Sequence, residues 1–277
     1  MGDRLASPFR LCYSSAFAME LISPAELAKE KIHAMQEYSV LAGRSIGNLF
    51  RQPRYLADTL QQADVIGVGS LSITVLTGFF TGAVLALQTS NTLQQFGSLS
   101  LTGQVVTLSM VRELGPVLTG LMVAGRNASG MASELGSMVV TEQIDAMRAL
   151  GTDPTKKLVT PRVVATVVML FFLTIISDLV GVAGGFMVAS LVLNLDSNQY
   201  WTTSYQALEF KDVLMGLTKP LVFGFVIATV GCYYGLTARG GTQGVGRATT
   251  QAVVASSVLI LMVNFFWTKL LIAWFTG

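Results

Sequence analysis

The chain has 277 residues, 52% hydrophobic and only 12% charged, with a formal net charge of +2. A mean hydropathy of +0.59 exceeds what a domain with a solvated surface reaches, which excludes an ordinary soluble protein. The near-neutral balance gives no reason to expect a nucleic-acid partner, and Cys12 and Cys232 are too few for a disulfide framework or a thiolate metal site.

Residues 1–22 read as an N-terminal tail. Its Leu11–Ile22 stretch is short and interrupted by Ser14, Ser15 and Glu20, so no cleavable signal peptide is expected. Ser23-Pro24-Ala25-Glu26 then combines a capping box with proline at the first helical position, a specific helix-start signal. The segment 23–60 carries Leu27, Met35, Tyr38, Leu41 and Leu49 on one approximate stripe, with Lys29, Glu30, Glu37 and Arg44 elsewhere. That pattern suits an amphipathic helix lying in the membrane interface; a cytoplasmic helix packed on a partner is the other reading.

Residues 61–277 form the transmembrane domain. A spanning helix needs roughly 20 mostly apolar residues, and five stretches qualify, at about 65–88, 104–125, 163–193, 213–237 and 251–275. The third is long enough to tilt or to be broken at Gly181, Gly184 and Gly185. Small residues recur every four positions at Gly78, Gly82 and Ala86, at Gly120, Ala124, Ala128, Ala132 and Gly136, and at Gly231 and Gly235. Such ridges let helices approach closely where no hydrophobic drive exists between them. Gly78, Gly82, Gly120 and Ala124 are therefore expected at helix contacts or at a seam between copies of the chain.

Charges at depth carry more information. Arg112 and Glu113 fall inside the second span and Lys219 inside the fourth, where a charge costs on the order of 2.5–3.5 kcal/mol. Adjacent helix positions point in different directions, so Arg112 and Glu113 each need a partner of their own. Two readings of Glu113 and Lys219 stay open: they face one another across a polar cavity, or these charges snorkel to the interface or make one structural ion pair. Glu134 and Asp178 carry the same argument more weakly, the cap of a helix break being the alternative reading of Asp178.

Between the second and third spans, Thr141 to Pro154 predicts a short charged helix. Ile144, Met147 and Leu150 make one face and Glu142, Asp145 and Arg148 another, with Gly151 and Pro154 as stop signals. A helix of that polarity belongs at the membrane surface, facing a protein in the water. Lysine and arginine concentrate before the first span, between the second and third (Arg148, Lys156, Lys157, Arg162) and between the fourth and fifth (Arg239, Arg247). These regions are therefore expected in the cytoplasm, which places the amino terminus inside and the carboxyl terminus outside.

Absences narrow the chemistry. There is no Gly-x-x-x-x-Gly-Lys-Ser/Thr loop, and the glycines of Gly240–Gly246 lack both the lysine and a preceding strand, so ATP hydrolysis by this chain is not expected. The single His33 has no Cys or carboxylate cluster beside it in sequence; neither a metal site, a cofactor nor an enzymatic triad is expected.

Gly78-Phe-Phe-Thr-Gly-Ala-Val-Leu-Ala-Leu-Gln88, Arg112-Glu-Leu-Gly-Pro116, Ala124-Gly-Arg126, Thr141-Glu-Gln143 through Asp153-Pro154, and Gly246-Arg-Ala-Thr-Thr250 occur in this order and together resemble the MlaE (YrbE) family of ABC-transporter permeases. The resemblance runs from about residue 45 to the end. It implies a homodimeric permease of the inner membrane, with a separate ABC ATPase subunit (MlaF-like) beneath and a hexamer of MCE-domain proteins (MlaD-like) above. It further implies transport of glycerophospholipid between that membrane and the outer envelope, with the carboxyl terminus in the periplasm. By position, Glu142, Asp145, Arg148 and Asp153 correspond to the coupling helix that enters the ATPase groove, and Leu87, Gln88, Glu113 and Lys219 to the lipid cavity. Ser90 departs from the pattern, since the best-known members carry an aromatic residue there. A self-contained secondary transporter, with Glu113 and Lys219 carrying protons or ions, is the competing class, and a membrane scaffold a third.

Overall fold

A computed structural model describes residues 24–49 and 55–276. The 1–22 tail with Cys12, and Ser23 of the capping box, lie outside the described residues. Among those described there is no strand, and the chain runs through α1 (Pro24–Leu49), α2 (Leu56–Gln95), α3 (Leu99–Val140), α4 (Gln143–Ala149), α5 (Thr155–Leu191), α6 (Ser197–Ala207), α7 (Phe210–Leu236) and α8 (Gly241–Thr276). Five of them, α2, α3, α5, α7 and α8, are long and apolar enough to cross a membrane. The all-helical, five-span expectation holds.

Four of the spans, α2, α3, α5 and α8, extend past their apolar runs. With 40 residues at about 1.5 Å each, α2 is about 60 Å long, twice the hydrocarbon core of roughly 30 Å. Its projecting start also corrects the expected 23–60 helix: α1 ends at Leu49 and α2 begins at Leu56. Residues 24–40 belong to a unit of their own, in which Ile32 and Met35 are exposed and His33 stands 3.4 Å from Glu37. From Leu41 onward the chain forms the second unit, and Leu41 rests against a cluster that includes Ile66, Val159 and Val163.

Of the two alternatives for the third span, a tilt or a break at its glycines, the break does not occur. α5 runs unbroken through Gly181, Gly184 and Gly185, because these glycines are the counterpart of the α2 ridge. A Cβ on Gly82 would strike the Gly181 carbonyl, one on Gly184 the Phe79 carbonyl, and one on Gly78 would come within 2.8 Å of the Ser177 carbonyl. The two helices thus touch backbone to backbone, which only glycine allows. The other two ridges also meet: Gly231 and Gly235 of α7 lie over Ala128 and Ala132 of α3, each with its absent Cβ 3.1 Å from the facing Cα. Gly120 faces Phe223, and Ala124 is fully buried in the same core as Ala128, Leu170 and Ile227. Outside the spans, Tyr200 of α6 is buried and donates its hydroxyl to the Val182 carbonyl at 3.1 Å, fastening α6 to the end of α5.

Candidate functional site

The second span is helical throughout, but its turn widens to a π-helix over Met110–Leu114, the segment that holds Arg112 and Glu113. Such bulges mark sites where the regular ladder is interrupted, and here the cause is legible. Pro116 lacks the N–H that would reach the Arg112 carbonyl four residues back. Lys219 takes its place: its ammonium, 1% exposed, donates to the Arg112 carbonyl at 2.8 Å. The same ammonium lies 2.6 Å from Glu113 Oε1. A lysine from α7 therefore closes two gaps in α3 at once, and a buried cation is held because both neighbours are acceptors.

Of the two readings left open for Glu113 and Lys219, a shared cavity or an ion pair, the structure shows the direct ion pair. Glu113 remains open on its other side, where Thr268 donates to Oε1 at 3.2 Å and Asn264 to Oε2 at 3.3 Å. Asn264 and Thr268 are four residues apart on α8 and so share one face. With Phe265, Lys269, Ile272 and Glu113 they line a groove of about 410 Å³. Arg112 points elsewhere, as adjacent positions must, and its Nε donates at 2.9 Å to Asp212, a buried carboxylate at the start of α7. Asp212 is itself fixed by a capping box with Glu209. Sequence reading missed Asp212, Asn264 and Thr268; the two polar residues spaced by four in the apolar run Val263–Thr268 were the available signal.

The α2 residues expected at a lipid cavity divide. Gln88 lines a second groove of about 350 Å³ with Phe80, Thr81, Val84, Leu85 and Leu114. Leu87 is partly exposed, whereas Ser90 is buried and donates its hydroxyl to the Leu87 carbonyl at 2.9 Å. Within one chain the two grooves lie on either side of the π-helical turn, one reached by Leu114 and the other by Glu113.

At one end of the bundle, α4 joins α3 to α5. Glu142 precedes its first residue in a left-handed conformation, φ 58°, and so stands at the turn rather than on the helix. The far end closes with Gly151 at φ 75°, whose N–H reaches the Arg148 carbonyl while that of Thr152 reaches Met147, both at 3.0 Å. This is the glycine-terminated helix end that the sequence signals. Ile144 is buried, Asp145 and Arg148 pair at 2.9 Å on the exposed side, and Leu150 is 83% exposed. Asp153 accepts from the Thr155 N–H at 2.9 Å, starting α5. Behind α4, the buried Arg162 of α5 binds Glu134 of α3 at 2.7 Å and donates to the Leu158 carbonyl at 2.8 Å. The two helices that carry α4 are thereby tied at their feet. Asp178 lies mid-helix and buried beside Gly115, a charge at depth and not the cap of a helix break.

Five packed spans, a charged surface helix at one end and an ion-paired π-helical turn inside describe a multi-pass membrane protein of permease type. The sequence matches the family described as Permease MlaE over residues 59–270, and the chain belongs to that family. It is 47% identical to a probable ABC transporter permease of Rickettsia typhi over 82% of this chain and 88% of that one. It is 42% identical to a probable ABC transporter permease of Synechocystis over 77% and 81% of the two chains. It is also 37% identical to the chloroplastic protein TRIGALACTOSYLDIACYLGLYCEROL 1 of Arabidopsis thaliana, over 82% of this chain and 65% of that one. The chain is thus an ABC-transporter permease subunit, a class that works with an ATPase and is not itself the catalytic subunit.

Proposed function

We propose that this permease moves glycerophospholipids between the inner membrane and the outer envelope, as a homodimer driven by a separate MlaF-like ATPase beneath it and capped by an MlaD-like hexamer of MCE-domain proteins. The carrying observation is the Glu113 carboxylate, paired with Lys219 yet open to a groove whose other walls are the apolar Phe265 and Ile272 and the polar Asn264, Thr268 and Lys269. A groove that combines charged and polar groups with apolar walls suits a ligand with a charged head and an apolar body. Phe265, Phe266 and Trp274 of α8 are exposed, an apolar surface that a second copy of the chain would cover. The Arabidopsis relative is named after a glycerolipid, which supports a lipid as cargo.

In this reading the N terminus is cytoplasmic and the C terminus periplasmic. ATP-driven closure of the ATPase pair moves the α4 helices through Asp145 and Arg148. Because Arg162 and Glu134 tie α3 to α5, the motion passes to the bundle as a rigid body and narrows the groove beside Glu113. The test is phospholipid recovered per purified complex, together with ATP-dependent lipid transfer between vesicles. Glu113→Arg should reduce both strongly with ATPase assembly intact, and Glu113→Gln should be milder. Normal lipid content and transfer in Glu113→Arg would remove this groove from the pathway; loss of transport in Glu113→Gln without any ATP dependence would favour an ion-coupled transporter.

A further inference from the structure

A second charged group at depth is not explained by the Glu113 cluster. Arg126 sits in another π-helical turn of α3, Ala124–Ala128, and its side chain is exposed with no carboxylate partner among the described residues. Its guanidinium lies flat on α2 at Gly69: a Cβ there would fall 2.6 Å from Cζ and closer still to both terminal nitrogens. Glycine at 69 is thus what makes room for the cation. Gly125, next to Arg126, is open as well, with nothing near the position of its absent Cβ.

The depth and the surroundings identify a ligand. Gly69 is five residues, about 7 Å, beyond Asp64, the last charged residue of α2, which places the guanidinium near the boundary between head groups and hydrocarbon on the α4 side. From Gly69 the same face of α2 continues at steps of four, seven, eleven and fifteen residues through Ile73, Leu76, Phe80 and Val84, all four exposed. Phe80 and Val84 are also walls of the groove that ends at Gln88 and Leu114. The distance from Gly69 to Phe80 along the helix is about 16 Å, the depth of one leaflet. A guanidinium presents a planar fork of donors suited to phosphate oxygens.

We infer that Arg126 holds the phosphate of a diacyl phospholipid from the leaflet on the α4 side, with an acyl chain laid along Ile73, Leu76 and Phe80 into the groove at Val84. This site is separate from the Glu113 groove and does not depend on what that groove carries.

The test is native mass spectrometry of the intact detergent-solubilised complex titrated with dioleoyl phosphatidic acid, with dioleoylglycerol and inorganic phosphate as controls. Wild type should bind phosphatidic acid, and Arg126→Gln should weaken one binding step by about ten- to a hundredfold, the range for losing a charged hydrogen-bond donor. Arg126→Lys, which keeps the charge and loses the fork, should fall between them. Leu76→Ser with Phe80→Ser should weaken the dioleoyl lipid and spare a dihexanoyl one. Glu113→Arg should leave this step unchanged, so failure here and failure of the transport reading are distinguishable. Equal phosphatidic acid binding by Arg126→Gln, or equal binding of dioleoylglycerol by wild type, overturns the assignment. Displacement by millimolar inorganic phosphate with indifference to chain length would make the site one for free phosphate and overturn its lipid half.

Discussion

Lys219→Met tests the reasoning about the π-helical turn most directly. The variant removes the partner of Glu113 and the donor to the Arg112 carbonyl while keeping side-chain length. Breaking a buried pair costs about 3–5 kcal/mol, but the Glu113 side chain is 41% exposed, so the electrostatic loss is discounted to about 1–2 kcal/mol. The abandoned carbonyl adds about 1–2 kcal/mol. The expected destabilisation is about 2–4 kcal/mol, read as a shift in the unfolding midpoint of the protein in dodecyl maltoside titrated with sodium dodecyl sulfate. Pro116→Ala supplies the missing N–H. In the Lys219→Met background it should restore about 1 kcal/mol, whereas in wild type, where the carbonyl already has its lysine, it should do little. Equal effects of Pro116→Ala in the two backgrounds would refute the argument that the lysine caps a carbonyl freed by proline.

Exchanging the charges of the α4 pair, Asp145→Arg with Arg148→Asp, keeps an exposed ion pair and should change stability by no more than about 0.5 kcal/mol; ATPase co-purification and stimulation should nevertheless be lost, and their survival would remove α4 as the coupling element. Cysteines at Ser98 and Ser197 should react with a membrane-impermeant reagent added outside and one at Thr242 should not, the native Cys232 being buried; the reverse pattern means that the chain is inverted. Gly82→Ala should destabilise by about 1–3 kcal/mol, because its Cβ meets the Gly181 backbone carbonyl and the helices must part, while Gly125→Ala, which meets nothing, should be neutral or slightly stabilising in the same unfolding assay.

Much of this architecture follows from the sequence because its causes are local. A run of apolar residues long enough for hydrocarbon, a glycine that ends α4 at positive φ, and a proline that empties a helical carbonyl each act within a few residues of themselves. The four-residue glycine ridges also announce that helices will approach closely, although nothing in one ridge says which other ridge it meets. That pairing turned Gly181, Gly184 and Gly185 from a candidate break, one of two readings of a long span, into the surface on which α2 lies.

Partners distant in sequence were decided by tertiary structure alone. Arg112 needed a counter-ion by electrostatics, but its finding Asp212, and Glu113 finding Lys219 with Asn264 and Thr268, depends on how α3, α7 and α8 are rotated against one another. The same rotation leaves Arg126 over Gly69 with no carboxylate partner among the described residues. Local chemistry sets the demand for a partner; only the packing of distant helices determines which groups meet it and which remain open to a ligand.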